Sequence, residues 1–241
     1  MGNAYLYRMP SGIPGDVTRK SQSTIESVIL GATAFVGFGL LGKISAGKLV
    51  PFGAGDKDGD EYGILVRAYP TTSSQDPLGT STPPTKGPVD VLKRGYITVK
   101  VNAGTSALGS QVYVRVANAG VGKPIGGIEA VGEVVGTAGT NTGNGTIGSL
   151  SQTTAGAGTW VVTMLTATTF SVINPSGARM KDGATGVAYS AGGISFTITA
   201  GGTAFVAGDS FSVSVNTVAL SDTTFTHPAD ASGFAEIAYK I

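Results

Sequence analysis

Short runs in which apolar and polar residues alternate are the feature that most restricts how this chain can fold. Neighbouring residues of a strand point to opposite faces, so a period of two predicts half-buried β-strands. Turn signals such as Asp58-Gly59, Asn144-Gly145 and Asp182-Gly183 separate the runs. The alternation is found in eight places: 63–69, 96–101, 111–116, 160–165, 169–173, 194–199, 211–215 and 234–241.

These runs predict an all-β fold, with a host domain that is a β-sandwich of jelly-roll type or a barrel. We predict that 96–101 and 111–116 are paired strands with one face in water. The best helix candidate is 21–30, although its β-branched residues disfavour a helix. The glycine content, 38 of 241 residues, fits a chain with many turns.

The distribution of charge predicts two domains. Residues 1–137 carry 23 charged side chains, whereas 138–215 carry four: Arg179, Lys181, Asp182 and Asp209. The charged character returns after residue 215. We therefore predict a host domain made of 1–137 plus 216–241, with 138–215 inserted into one of its loops as a small β module, because loop tips tolerate insertions.

Composition also bears on compartment and partners. A net charge of +1 provides no field that would recruit nucleic acid or an anionic membrane, so we expect neither as a direct partner. There is no cysteine, hence no disulfide or thiolate metal site. Residues 1–10 lack the pattern of a signal peptide, and the longest apolar stretch, 28–41, is too short to span a bilayer. We expect synthesis in a cytoplasm without export.

Glycine-rich matches to nucleotide-binding motifs fail on their context. Residues 37–42 fit G-x-G-x-x-G, but no helix follows to hold a pyrophosphate. Residues 37–43 and 42–48 fit G-x-x-x-x-G-K, but Ile44 and Leu49 stand where Ser or Thr would bind Mg²⁺. We expect no nucleotide and no other cofactor.

An acidic segment, 56–60, resembles the beginning of a calcium loop. Glu61 occupies the position that needs glycine, and Arg67 the position that needs a bidentate glutamate. We interpret the segment as a solvated hairpin turn between 49–50 and 64–65, and leave open whether it holds a cation. The carboxylates concerned are those of Asp56, Asp58 and Asp60.

The sequence shows no set of residues arranged for catalysis. His227 is the only histidine, so a triad or a two-histidine metal site has no partners within the chain. Trp160 and the tyrosines could form a sugar-binding platform, but Trp160 heads an alternating run and is more simply a core or rim residue. We predict that the protein is not an enzyme and has no catalytic or metal-binding residues.

The predicted host domain resembles the capsid cement proteins of tailed bacteriophages. The segments that carry this resemblance are 13–16, 23–26, 50–53, 62–67, 91–99, 112–115, 216–220, 224–226 and 228–238. The predicted insert resembles a second theme, found in phage head decoration proteins. Its segments are 143–148, 170–177, 186–189 and 194–211.

The resemblance implies a structural virion protein, made in the host cytoplasm, that binds the outer face of the phage capsid. Its implied partners are the major capsid protein and other copies of itself, as a dimer or a trimer, and it would clamp the shell against DNA pressure. The alternative is a tail or adhesin-type module that binds a receptor or a glycan.

Two regions supply candidate contacts with the shell. Aromatic and arginine anchors are frequent interface hot spots, and an N-terminal arm could add a strand to a neighbour's sheet, unless Leu6 and Tyr7 begin the first strand of their own domain. The proline-rich segment 71–88 is a long irregular loop, either a contact loop or an ordinary surface excursion. The candidates are Tyr5, Tyr7, Arg8, Met9, Arg19, Lys20, Leu78, Pro83, Pro84 and Lys86.

Overall fold

The structure, a computed structural model, describes residues 12–67, 82–153 and 156–241. In these residues the chain forms seventeen strands and a 3₁₀ turn, Lys20–Gln22, without an α-helix, which confirms the all-β prediction. No helix in this part of the chain is long and apolar enough to cross a membrane. The strands are β1 (Thr24–Ile29), β2 (Leu41–Ser45), β3 (Lys48–Pro51), β4 (Gly63–Leu65), β5 (Pro88–Lys100), β6 (Gln111–Arg115), β7 (Ile128–Glu129), β8 (Val134–Ala138), β9 (Thr146–Gln152), β10 (Gly158–Met164), β11 (Thr169–Ile173), β12 (Gly183–Ala184), β13 (Tyr189–Ala191), β14 (Ile194–Thr199), β15 (Ser210–Val215), β16 (Thr217–Phe225) and β17 (Phe234–Tyr239).

Nine strands form one sheet, which curls into half a barrel. Their order is β3-β2-β4-β5-β17-β16-β6-β7, and β1 pairs with β5 outside this series. Two apolar clusters fill its inner side: a large one that includes Ile97, Ile237 and Tyr239, and a smaller one that includes Phe35 and Leu49. Burial of these side chains drives the folding of this part of the molecule.

Strand β5 changes partners at Gly95. Residues 88–94 pair with β1, and β4 pairs with the same half, whereas 95–100 pair with β17. Gly95 has φ +138, and a Cβ there would lie 2.2 Å from Oγ of Ser23. Only glycine fits this backbone conformation and this close approach, so Gly95 lets the chain before β1 pack against the middle of β5.

Strands β8 to β15 form two further sheets, which pack on a shared core. The five-stranded sheet has the order β12-β11-β10-β15-β8, and the three-stranded sheet has the order β13-β14-β9. Aromatic rings fill the space between them, with Tyr189 stacked on Phe196 at 4.9 Å between ring centroids. Trp160 lies in this core and is 4% exposed, which agrees with the core interpretation of that residue.

These eight strands follow one another between β7 and β16 of the nine-stranded sheet. The five-stranded sheet begins at Val134, ahead of residue 138. The division into domains 1–137 plus 216–241 and 138–215 stays a prediction.

Three local predictions are wrong. Residues 21–30 are not a helix: a 3₁₀ turn is followed by strand β1, because Thr24, Ile25 and Ile29 are β-branched and favour extended backbone. The strands at 96–101 and 111–116 do not pair, because β17 and β16 lie between β5 and β6.

The acidic segment 56–60 is also not a hairpin turn between 49–50 and 64–65. Strand β3 pairs with β2, and β2 in turn pairs with β4, so the segment connects two strands that are not neighbours.

Candidate contact surface

Glu236 on β17 anchors the segment that precedes β1. Val17 bridges to Ile97 of β5, and the hydroxyl of Thr18 donates a hydrogen bond to the Glu236 carboxylate. Nη2 of Arg19 lies 2.9 Å from Oε1 of Glu236, whose side chain is 2% exposed. A buried carboxylate needs such partners, so Glu236 fixes the path of the chain into β1.

Arg19 is held by its own chain and still faces solvent. Its guanidinium lies over the ring of Tyr96, 3.9 Å from the ring centroid, in addition to its ion pair with Glu236. The side chain remains 43% exposed. Arg19 is therefore a pre-ordered cation at the surface, and a partner that binds it avoids part of the entropy cost of ordering an arginine.

Strand β1 is exposed on both faces. Among the described strands it pairs with β5 only, so its other edge carries backbone groups without a partner strand there. Ile25 is 41% and Ile29 is 50% exposed. A strand edge with exposed apolar side chains is suited to pairing with another chain.

The described candidates from the long loop that precedes β5 lie at the far end of β1. The backbone N–H of Leu30 donates to the carbonyl of Gly87 at 3.0 Å, which brings 83–88 to this end. Pro84 and Lys86 are exposed, whereas Pro83 is buried. Arg19 and Lys20 precede the other end of β1, so the described candidates lie at the two ends of one strand.

We call this region the β1 edge: strand β1 with Arg19, Lys20, Pro84 and Lys86. Tyr5, Tyr7, Arg8, Met9 and Leu78 lie outside the described residues. Strand β1 itself was not among the strands predicted from the sequence, because 21–30 stood there as the best helix candidate. The signal that could have found it is the alternation of Ile25, Ser27 and Ile29.

Polar contacts fix β1 on its sheet. The Tyr62 hydroxyl donates to Oε2 of Glu26 at 2.5 Å, and Nζ of Lys93 lies 3.2 Å from the centroid of the Tyr62 ring. The hydrogen bond to Glu26 raises the pKa of Tyr62, so the phenol stays a donor. Oγ of Ser27 donates to Asp90 of β5 at 2.5 Å.

A second polar cluster lies where the chain passes from β7 to β8 and returns from β15 to β16. Arg115, whose side chain is 1% exposed, bonds Glu129 at 2.6 Å and Glu133 at 2.7 Å. Lys123 bonds the other oxygen of Glu133 at 2.7 Å, and Asn216 donates to Glu133 at 2.8 Å. We call these five residues the junction.

Electrostatics within the junction favour its charged forms. The hydrogen bond from Arg115, helped by Lys123 and Asn216, lowers the pKa of Glu133 from 4.5 to about 2 despite partial burial. Burial opposes the charge of Arg115, but its hydrogen bonds to Glu133 and Glu129 raise its pKa overall. The junction is therefore a salt-bridged connection that persists at neutral pH.

The remaining candidates from the sequence have structural partners. Asp56 bonds Nζ of Lys43 at 2.6 Å, and Asp60 accepts the backbone N–H of Lys57 at 2.9 Å. Asp58 accepts from the backbone N–H of Ser221 at 2.9 Å. Within the described residues, no group of three or more acidic or histidine side chains is arranged to hold a metal ion.

His227 contacts the backbone through both ring nitrogens. Nε2 accepts the N–H of Glu236 at 3.2 Å, and Nδ1 lies 2.6 Å from the carbonyl of Pro228. Such a ring orders the connection between β16 and β17, in agreement with its interpretation as a loop residue.

The described chain is thus an all-β scaffold with a strand edge, that of β1, which has no partner strand among the described residues. The chain belongs to the XM1 gp53 minor capsid protein family, whose model matches residues 2–166. It is therefore a structural protein of a bacteriophage virion, associated with the capsid. The matched region covers the β1 edge and ends just after β10.

Two crystal structures of Xanthomonas campestris FlgL are similar to part of the chain, at 27% and 28% identity. They cover 35% and 36% of this chain, which spans 29% of the length of the FlgL chain in each case, and the TM-score is 0.31 for both. A likeness this slight carries no argument about fold or function. The comparison with curated proteins found no match.

Proposed function

We propose that this protein cements the phage head: it binds the outer surface of the shell and joins neighbouring major capsid subunits, stabilising the shell against the pressure of packaged DNA. The observation that carries the proposal is the match to a minor capsid protein family. The matched residues, 2–166, include the exposed strand β1. In this proposal 1–137 plus 216–241 bind the shell, and 138–215 project outward.

The β1 edge is suited to accept a strand of the shell protein. The N–H of Leu30 points toward β5, and backbone groups alternate in direction along an antiparallel strand. The N–H groups of Ile25, Ser27 and Ile29 therefore point away from β5. A strand laid against this edge would bond these groups and cover the exposed side chains of Ile25 and Ile29.

Cementing follows from contact with more than one subunit. Arg19 and Lys20 lie at one end of β1 and Lys86 at the other, about 20 Å apart for a six-residue strand. A protein that holds two subunits at once gains avidity, because the second contact forms at a high effective concentration.

The test is co-sedimentation with expanded shells that have been stripped of this protein, followed by a heat scan of the shells. Ser27→Pro removes one outward N–H while leaving the β5 pairing intact, since edge strands tolerate proline. Ser27→Ala is the matched control, because both variants lose the hydroxyl contact with Asp90. We expect wild type and Ser27→Ala to saturate the shells and raise their rupture temperature, and Ser27→Pro to bind at least about tenfold more weakly.

One result would contradict the cement role itself, and another would contradict only the β1 edge as its contact surface. Wild-type protein that does not bind shells, and that is recovered with tails in a few copies per virion, would favour the adhesin alternative. Equal binding by Ser27→Pro and Ser27→Ala would keep the cement role but exclude the β1 edge as the contact. A folded state of each variant is checked by circular dichroism before binding is compared.

A further inference from the structure

A groove with a volume of about 400 Å³ lies where β5 ends and β17 begins. Most of the side chains that line it are apolar: Pro14, Val36, Phe38, Leu40, Pro124 and Phe234. Its volume is within the range of ligand-binding clefts, about 300–1,000 Å³. The groove is therefore large enough for the side chains of a few residues of another chain.

The charged residues that line the groove are both cations, Arg67 and Lys100. Arg67 is 6% exposed, and its guanidinium lies 5.6 Å from the centroid of the Phe38 ring. Lys100 is exposed and forms no salt bridge with the described residues. Asp16 and Asp230, which are close in sequence to lining residues, accept backbone N–H groups of their own turns. The groove therefore combines apolar walls with a net positive charge.

Hydrogen bonds within the chain hold one wall of the groove in place. Nδ2 of Asn102 donates to the carbonyl of Gly122 at 2.7 Å. In the same turn, Gly120 and Lys123 exchange two backbone hydrogen bonds of 3.0 Å each. A wall that is ordered in advance lowers the entropy cost of binding a partner.

The chemistry of the groove selects one class of partner. Val36 lines it and is 77% exposed, and Val121, next to the lining residue Gly122, is fully exposed. Exposed apolar side chains that cluster in this way mark contact surfaces. The apolar walls do not suit a free inorganic anion, and the two cations do not suit a basic segment. A peptide segment with a carboxylate beside an apolar side chain matches both features.

The family match indicates which protein supplies that segment. All the lining residues except Phe234 lie within residues 2–166, the region that matches the minor capsid protein family. We propose that the groove binds an acidic segment of the major capsid protein, with a carboxylate against Lys100 and an apolar neighbour against the groove walls. This inference rests on the proposed cement role and adds the chemistry of the partner.

The groove lies far from the β1 edge. Glu26, in the middle of β1, pairs with Val91, and β5 continues from there to Lys100. At about 3.3 Å per residue this part of the strand is about 30 Å long. The two surfaces are therefore able to contact different shell subunits, and their combined binding gains avidity.

One test is carbodiimide cross-linking of the full chain bound to stripped, expanded shells. The reagent joins a lysine amine to an adjacent carboxylate as an amide, and is itself converted to a urea. We expect peptide mass spectrometry to find Lys100 joined to a carboxylate of the major capsid protein. A bond from Lys100 to another copy of this chain overturns the proposal, as does the absence of any cross-link at Lys100.

The second test compares variants in co-sedimentation with the same shells. Lys100→Glu reverses the charge in the groove, and Lys181→Glu makes the same change on an exposed lysine in 138–215. Val36→Asp puts a negative charge on the apolar wall, and Val187→Asp is its control at a valine that is 60% exposed. We expect Lys100→Glu and Val36→Asp to bind at least about tenfold more weakly than wild type, because like charges then meet. The two controls should bind as wild type does.

The outcomes separate this inference from the cement role. Wild-type protein that does not bind shells refutes the cement role and this inference together. Wild-type binding that Lys100→Glu retains in full overturns the groove as a contact and leaves the cement role intact. An equal loss in Lys181→Glu also overturns the groove, because the effect would then come from net charge.

Discussion

The nine-stranded sheet and the β8–β15 sheets fix their turns with different side chains. In the first, carboxylates of Asp16, Asp56 and Asp230 accept backbone N–H groups of their own turns. In the second, the amide oxygen of Asn174 does the same, that of Asn144 accepts the N–H of Thr203 from a different loop, and the one carboxylate used, Asp209, is buried. An amide and a carboxylate are both good acceptors in such turns.

The difference shows that the low charge of β8–β15 does not come from a lack of polar contacts. Several of its turns and loops are bonded through the neutral amide oxygens of asparagines, so few charges are needed there. The nine-stranded sheet, by contrast, relies on ion pairs, including buried ones at the junction. This comparison leads to three further predictions.

The largest expected effect is the loss of the buried arginine. Arg115→Ala leaves the carboxylate of Glu129, which is 0% exposed, without its cation, and we expect the free energy of unfolding to fall by about 3–5 kcal/mol. Arg179→Ala, in an exposed pair with Asp182, is the matched control and should cost less than about 0.5 kcal/mol. Urea unfolding measures both, and equal losses would contradict the contrast between the two regions.

A smaller effect is expected from pH. Because the pKa of Glu133 is about 2 in the folded chain and near 4.5 without its partners, the unfolded chain binds a proton first as the pH falls. The contribution of Glu133, at most about 3 kcal/mol, is therefore complete above pH 4.5 and is lost between about pH 4.5 and pH 2. Unfolding free energies measured across this range should become less pH-dependent in Glu133→Gln, and an unchanged pH dependence would contradict this assignment.

The smallest effect concerns whether the two regions unfold together. Ile198 and Ile237 are both 0% exposed, one in the core of β8–β15 and the other in the core of the nine-stranded sheet. Each Ile→Val change should cost about 0.5–1.5 kcal/mol. Trp160 is the only tryptophan and reports on the β8–β15 core. The unfolding transition followed by its fluorescence should therefore move to lower denaturant with Ile198→Val and stay in place with Ile237→Val. Identical shifts in fluorescence and circular dichroism for both variants would indicate one cooperative unit.

Local patterns in the sequence predicted most strands but not their neighbours. The runs at 111–116, 169–173 and 194–199 form strands, because alternation is a property of each strand alone. The order of strands depends on contacts between residues far apart in the chain, which alternation does not report. The predicted pairing of 96–101 with 111–116 is wrong for this reason.

The same limit applies to the candidate surface. Alternation assigns Arg115 to a wet face, yet its side chain is buried, because the neighbouring strand β7 supplies Glu129 and the chain after β7 supplies Glu133 as partners. Arg19 was expected as a contact from its residue type, and Lys86 from its position in the long loop before β5. Their placement at opposite ends of β1 depends on the pairing of β1 with β5, which the sequence does not encode locally.

The junction also indicates where the chain can accept an inserted polypeptide. The N–H of Asn216 donates to the carbonyl of Glu133 at 3.0 Å, so the chain leaves and re-enters the nine-stranded sheet at adjacent points. The folding of β8–β15 offsets the entropy cost of closing this loop. For the nine-stranded sheet, the whole segment is then equivalent to a tight turn. A foreign domain with adjacent termini meets the same geometric requirement at this position, which makes the site between Glu133 and Asn216 a natural point for displaying other polypeptides.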